Sequence, residues 1–297
     1  MTGFEEKIDI RTKEALMAIE KYLPKNEGMQ KTILDSLVYS VENGGKRLRP
    51  IFMQAVYELC GGIKAAEDLY PFMAAIEMIH SSSLVHDDLP CMDNDLLRRG
   101  KPSTWAKYGE DIGTLTGDAL MIYAFETAVK SGAAPEKKIE AIKVLAEKTG
   151  IFGMIGGQVV DVEMTGKKPS AEQLDFIYRL KTGALIEASF MIGGIIAGAG
   201  KKTIENLEKA ASCIGMAFQI QDDILDVVSS EEELGKPVQS DIRNEKVTWL
   251  SIYGMEQSLR DVEKFTSKAI DLLAEERKNN EKSFIEELCL YLIDRKK

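Results

Sequence analysis

Two short runs of aspartate carry the clearest chemical potential in this sequence. They are Asp87-Asp88-Leu89-Pro90-Cys91-Met92-Asp93-Asn94-Asp95 and Asp222-Asp223-Ile224-Leu225-Asp226. Pro90 disfavours helix at Leu89, so the preceding helix is expected to end with Asp87 and Asp88 in its last turn. Asp222 and Asp226 are four apart and share one helix face, and Ser229-Ser230-Glu231 breaks the apolar pattern soon after. Both runs thus gather carboxylates at a helix C-terminus, where each charge is disfavoured by about 0.3–1 kcal/mol and a like-charge i, i+4 pair by about 0.2–0.5 more. Such charges either sit in water or are offset by a cation. Apolar residues reach right up to both runs, which favours a cleft. Mg²⁺ suits a cleft of this kind, since it binds one or two carboxylates, keeps waters and takes phosphate oxygens.

Basic residues complete the picture. Gly44-Gly45-Lys46-Arg47-Leu48-Arg49-Pro50 joins a flexible turn, three cations and a proline suited to a first helical position. Backbone donors, helix dipole and guanidinium forks together make an anion site. Arg98-Arg99-Gly100 follows the first acidic run. The two histidines, His80 and His86, are six apart, the wrong spacing for a shared helical zinc site. His80 lies two turns before Asp87 on the same face and could touch an anionic substrate.

The elements that must position these groups read as helices. The 297 residues are 44% hydrophobic and 29% charged, ordinary for a folded chain, with a net charge of −10. That charge argues against nucleic acid and against an anionic membrane surface. The four cysteines form no CxxC pair, which points to a reducing cytoplasm. No signal core or transit character opens the sequence, so no stable membrane anchor is expected. Gly183–Gly200 is the most hydrophobic stretch, but Glu187 interrupts it, and a buried central helix is expected there. The eight prolines sit at boundaries, and the spacing between them is helical. Helices are predicted over 3–22, 28–42, 50–60, 64–88, 110–131, 135–149, 151–165, 171–199, 203–228, 246–254, 258–277 and 281–294. The expected architecture is all-α, a single domain over 1–297 of about a dozen helices.

In their order along the chain these motifs resemble the trans-isoprenyl diphosphate synthases, the family of farnesyl and geranylgeranyl diphosphate synthases. Gly44–Pro50 is similar to the site for isopentenyl diphosphate. Asp87-Asp88-x4-Asp93 with Arg98-Arg99-Gly100 resembles the first aspartate-rich motif in its bacterial spacing. Gly157-Gln158-x2-Asp161 and Lys181-Thr182-Gly183 resemble the cavity-lining helices, and Gln219-Ile220-Gln221-Asp222-Asp223-x2-Asp226 the second aspartate-rich motif. The resemblance implies a deep central cavity and a homodimer. It implies that Asp87, Asp88, Asp93, Asp222, Asp223 and Asp226 hold Mg²⁺, three ions per site, with Mn²⁺ able to substitute. Arg98, Lys181, Lys236 and Lys246 would meet the allylic diphosphate, with Thr182 and Gln219 against the developing cation. Lys46, Arg49, His80 and Arg99 would bind isopentenyl diphosphate.

The sequence departs from the family at one loop, where Gln239 stands in place of Gly and Trp249-Leu250 follow Thr248. A class I terpene cyclase would not need Lys46 and Arg49, and a catalytically silent partner subunit would be expected to have lost aspartates. Neither fits as well as a prenyltransferase. Chain length is expected to depend on Ser82 and Ser83, one turn before Asp87. Small serines there leave a cavity open and favour a twenty-carbon product, whereas the bacterial motif spacing is shared with fifteen-carbon enzymes. Met121 or Met154 could form the floor, and products of thirty carbons or more are not expected.

Overall fold

The computed structural model describes residues 3–63, 67–228, 247–277 and 281–293. These residues are almost wholly helical and fall into two compact units. The first comprises Met1–Gln54 and Ile63–Ile142, the second Ala55–Gly62 and Lys143–Lys297.

The first unit is built around α4 (Tyr70–Asp87), which opens with Pro71 in its first turn and is buried on almost every side. Phe72, Met73, Ile76 and Ile79 are fully enclosed. Against it pack α1 (Gly3–Tyr22), α2 (Lys31–Glu42) and, most extensively, α6 (Glu110–Ala128). The α4–α6 contact is close because α6 presents Gly113 and Gly117. A Cβ at Gly117 would lie 2.0 Å from His86 Nε2, and one at Gly113 would lie 2.9 Å from Trp105 Cβ. The first part of α3 (Leu48–Leu59) belongs here, as does most of the start of α7 (Pro135–Thr149). Two features were not foreseen. Leu97–Arg98 and Lys101–Pro102 pair as a two-stranded hairpin, β1 and β2, and a short α5 (Thr104–Tyr108) precedes α6. Helix α4 also begins later than its expected start at 64, at Tyr70.

The second unit holds α8 (Met154–Met164), α9 (Ala171–Ile177), a π-helical segment (Tyr178–Gly183), α10 (Ala184–Ala197) and α11 (Lys201–Val228). α12 (Trp249–Tyr253), α13 (Met255–Ala274) and α14 (Phe284–Ile293) complete it. A Ser170–Gln173 capping box starts α9, and Gly198, at φ +88°, ends α10. The path from Ala171 to Ala197 is long and apolar enough to cross a membrane, but α10 is buried core. Its interrupting Glu187 is matched by Lys148, which donates to Glu187 at 2.5 Å and to Glu208 at 2.6 Å. The expected single helix over 171–199 is therefore three segments, because six residues in the middle adopt the wider π ladder.

Candidate active site

In the first unit the chemistry gathers at the C-terminal end of α4. Asp87 is its last residue and Asp88 its cap, so the expected placement holds. The chain then folds back on the open carbonyls of the helix. Met92 N and Asn94 N donate to Leu89 O, Asp93 N donates to Asp87 O at 2.9 Å, and Asp95 N to Asp88 O at 3.1 Å. This return brings Asp93 beside Asp87 at the negative end of the dipole. Asp88 is buried and accepts from Nε of Arg98 at 2.9 Å and from its Nη2, and Nη2 also reaches Asp95 at 3.4 Å. Burial raises the Asp88 carboxyl above its usual range, and Arg98 offsets only part of that. Arg98 and Asp88 hold each other.

The basic loop lies against the same helix. Arg47 O accepts from Ile51 N, so α3 starts at Leu48, two residues earlier than Pro50 would suggest. Arg49 consequently sits in the first turn of α3, a cation at the positive end of a dipole, and its buried Nε has no hydrogen-bond partner. Burial lowers this guanidinium to about 10, which Glu77 opposes and Arg99 reinforces; it remains charged at neutral pH. Arg99 donates to Gly44 O, and a Cβ on Gly45 would come within 2.7 Å of its guanidinium. Burial, then the cations of Arg49, Arg99, Arg47 and Arg98, hold His80 well below its usual value, so it is a neutral imidazole. Lys46 is exposed.

Ser82 differs from expectation. It is fully buried, and its hydroxyl donates to Gly117 O at 2.8 Å. The close approach of α6 encloses this side chain. Ser83, one residue on, is only half-buried and donates to His80 O at 2.9 Å.

In the second unit the π segment carries Lys181 and Thr182. Lys181 donates to Asp161 at 2.6 Å, and the Thr182 hydroxyl donates to Gln219 Oε1 at 2.9 Å. Gly157 of α8 makes this packing possible, since a Cβ there would lie 2.3 Å from Lys181 N. A cavity of about 190 Å³ opens beside these groups, lined by Asp161, Tyr178, Lys181, Thr182, Gln219 and Asp223, with Thr248 at its edge. Asp222 is half-buried, whereas Asp223 and Asp226 are enclosed. Asp223 is engaged internally, because Oδ2 accepts from the Tyr178 hydroxyl at 2.6 Å and from Trp249 N at 2.9 Å. Lys236, Gln239 and Lys246 lie outside the described residues.

A model of the polyprenyl synthetase family matches residues 30–288. The chain belongs to this family. It is 43% identical over 270 residues to a geranylgeranyl diphosphate synthase of Cyanophora paradoxa, covering 86% of this chain and 89% of that one. Among solved structures it is similar to an FPP/GFPP synthase from Zymomonas mobilis (TM-score 0.83, 30% identity, 98% of each chain). It is also similar to a Helicobacter pylori geranyltransferase complexed with magnesium and isoprenyl diphosphate (TM-score 0.84, 29% identity, 99% of this chain and 97% of that one). This polyprenyl synthetase is thus a short-chain trans-prenyltransferase of all-α fold, acting on isoprenyl diphosphates with Mg²⁺.

The donor set fits that metal. Asp87, Asp93 and Asp222 offer hard oxygen ligands on surfaces that water reaches. Among the described residues no three acidic, histidine or cysteine side chains already converge on one point.

Four roles escaped the sequence reading, those of Arg47 as a structural group, Glu77, Tyr178 and Trp249. Glu77 carried a signal, being the one acid in the apolar run from Leu69 to Val85. Tyr178 and Trp249 carried none, because their partnership with Asp223 is purely tertiary.

Proposed function

We propose that this enzyme condenses isopentenyl diphosphate with allylic diphosphates up to the twenty-carbon geranylgeranyl product. In the reaction the allylic C–O bond breaks with its electron pair to the departing diphosphate. The isopentenyl double bond then attacks the allylic carbon, and a proton leaves to the released diphosphate. Mg²⁺, three ions in this reading, would be held by Asp87, Asp88 and Asp93 and by Asp222, Asp223 and Asp226, and supplies Lewis-acid stabilisation of the leaving group. Lys181, held by Asp161, sets a cation against that same diphosphate. Thr182 and Gln219, bonded to each other, present oxygens to the developing allylic cation. Lys46, Arg49, Arg99 and neutral His80 bind the isopentenyl diphosphate.

The observation that carries this assignment is the surplus of cations around Arg49. A buried guanidinium atom without a partner, at a helix N-terminus and beside Arg99, is a site that an anion completes. The twenty-carbon product is supported by the 43% identity to a geranylgeranyl synthase and by the small, half-buried Ser83.

Incubation with isopentenyl and dimethylallyl diphosphates and Mg²⁺, followed by chromatography of the dephosphorylated products, tests both parts. The expected product has twenty carbons, and Ser83→Phe shortens it. A wild-type product of fifteen carbons would refute the length. Absence of any product would refute the assignment.

A homodimer is part of the same reading, supported by the exposed Leu115 and Ile122 of α6 and Val129 at its cap, which recur every seven residues. Sedimentation velocity tests it. A cytoplasmic location is supported by the sequence, whose four cysteines, Cys60, Cys91, Cys213 and Cys289, form no CxxC pair.

A further inference from the structure

The loop that precedes α3 is held in an unusual way. Gly44 and Gly45 have φ of +87° and +115°, and Arg47 follows at +51°, in the left-handed region that an arginine rarely adopts. A strained residue of this kind persists only when its surroundings over-determine it. Here the side chain does so. Arg47 is 3% exposed; Nη1 donates to Glu77 Oε1 at 2.8 Å and Nη2 to Val41 O at 2.5 Å. Glu77 is itself 2% exposed and lies three residues before His80 on α4.

We propose that Arg47 and Glu77 are a positioning pair for isopentenyl diphosphate, shaping and charging its site without touching it. This rests on the assignment of Lys46, Arg49, His80 and Arg99 to that substrate. Two effects follow from the geometry. The first is mechanical. With Arg47 hooked inward, the chain reverses between an outward Lys46 and an Arg49 in the first turn of α3. Asn43 Nδ2 donating to Arg98 O at 3.3 Å and Arg99 donating to Gly44 O tie this reversal to the hairpin. The second effect is electrostatic. Glu77 acts on Arg49 and Arg99 as well as on Arg47. Paired with Arg47 it is neutralised, and the remaining cations keep their attraction for an anion. Remove Arg47 alone, and a buried carboxylate faces the diphosphate.

A cycle of Arg47→Leu, Glu77→Leu and the double variant separates positioning from mere stability. Replacing both members of a buried ion pair by apolar groups is often neutral for stability, whereas removing one is costly. Arg47→Leu should raise KM for isopentenyl diphosphate about a hundredfold, and the double variant about tenfold, with KM for the allylic substrate within about twofold of wild type. A double variant that melts like wild type and shows an unchanged KM for isopentenyl diphosphate would overturn the proposal. So would an equal rise in both KM values.

Should the double variant not fold, Arg47→Lys keeps the charge but cannot serve Glu77 and Val41 together. A several-fold rise in the isopentenyl KM alone is expected, and no change refutes the pair. Wild-type enzyme that makes no product would instead refute the substrate assignment. Titration of inorganic pyrophosphate into the same variants then reads the anion site directly, with weaker binding to Arg47→Lys expected and unchanged binding overturning the pair.

Discussion

At the scale of single residues, the two aspartate runs divide into outward and inward members. Asp222 is half-buried, while Asp223 accepts from Tyr178 and Trp249. Asp222→Asn should lower kcat by orders of magnitude with little change in melting temperature. Asp223→Asn should lower kcat too and, in addition, lower stability by about 1–3 kcal/mol, because a buried acceptor is replaced by an amide facing two donors; denaturant titration compares them. His80 gives a pH prediction. Its folded value is lowered by burial and then by four arginines, so the unfolded chain takes up the proton first as pH falls. Wild type should therefore lose stability below about pH 6.5, the ordinary histidine value. His80→Gln should show less of that loss in paired melting curves between pH 7.5 and 5. Between pH 7 and 8 the isopentenyl KM should show no histidine titration.

At the scale of elements, catalytic side chains depend on helices approaching closely through glycine. Gly157 is one such case, since the backbone of Lys181 occupies the space a methyl group would need. Gly157→Ala should cost about 1–3 kcal/mol through overpacking and displace Lys181 from Asp161. Calorimetry measures the first effect, and a raised KM for the allylic substrate reports the second. Ser82 illustrates how element packing overrode a residue-level inference. A small side chain one turn before Asp87 suggested open space, but the same smallness lets α6 come close enough for Gly117 O to accept its hydroxyl.

For the whole molecule, a net charge of −10 together with anionic substrates means that folding and ligand binding both respond to divalent cations. Diphosphate with Mg²⁺ at a hundred times the dissociation constant should stabilise the fold by about 2.7 kcal/mol, seen as a rise of several degrees in melting temperature. Diphosphate with EDTA should give little of that rise, and turnover should stop. Most of the helices were legible from apolar spacing and proline placement, as was the end of α4, because helix periodicity is local. The aspartates and basic loops were legible because their types and order are themselves the signal. The Arg47–Glu77 pair, the hold of Arg98 on Asp88 and the enclosure of Asp223 were not. Each joins residues ten or more positions apart, which no local pattern records.

The π-helical stretch acts as a phase shift in an otherwise continuous rod. Tyr178 must reach Asp223 while Lys181, three residues later, reaches Asp161. Deleting one residue between them, Arg179 for instance, would let the i→i−4 ladder run unbroken from α9 into α10 and remove the poorer π geometry. It would also turn everything upstream by about 100° relative to α10. Tyr178 would leave Asp223, and the apolar face of α9 would leave its neighbours. The shortened chain would have the more regular helix but would lose the packing of α9 and the placement of Lys181 together, so one local irregularity serves both the core and the site.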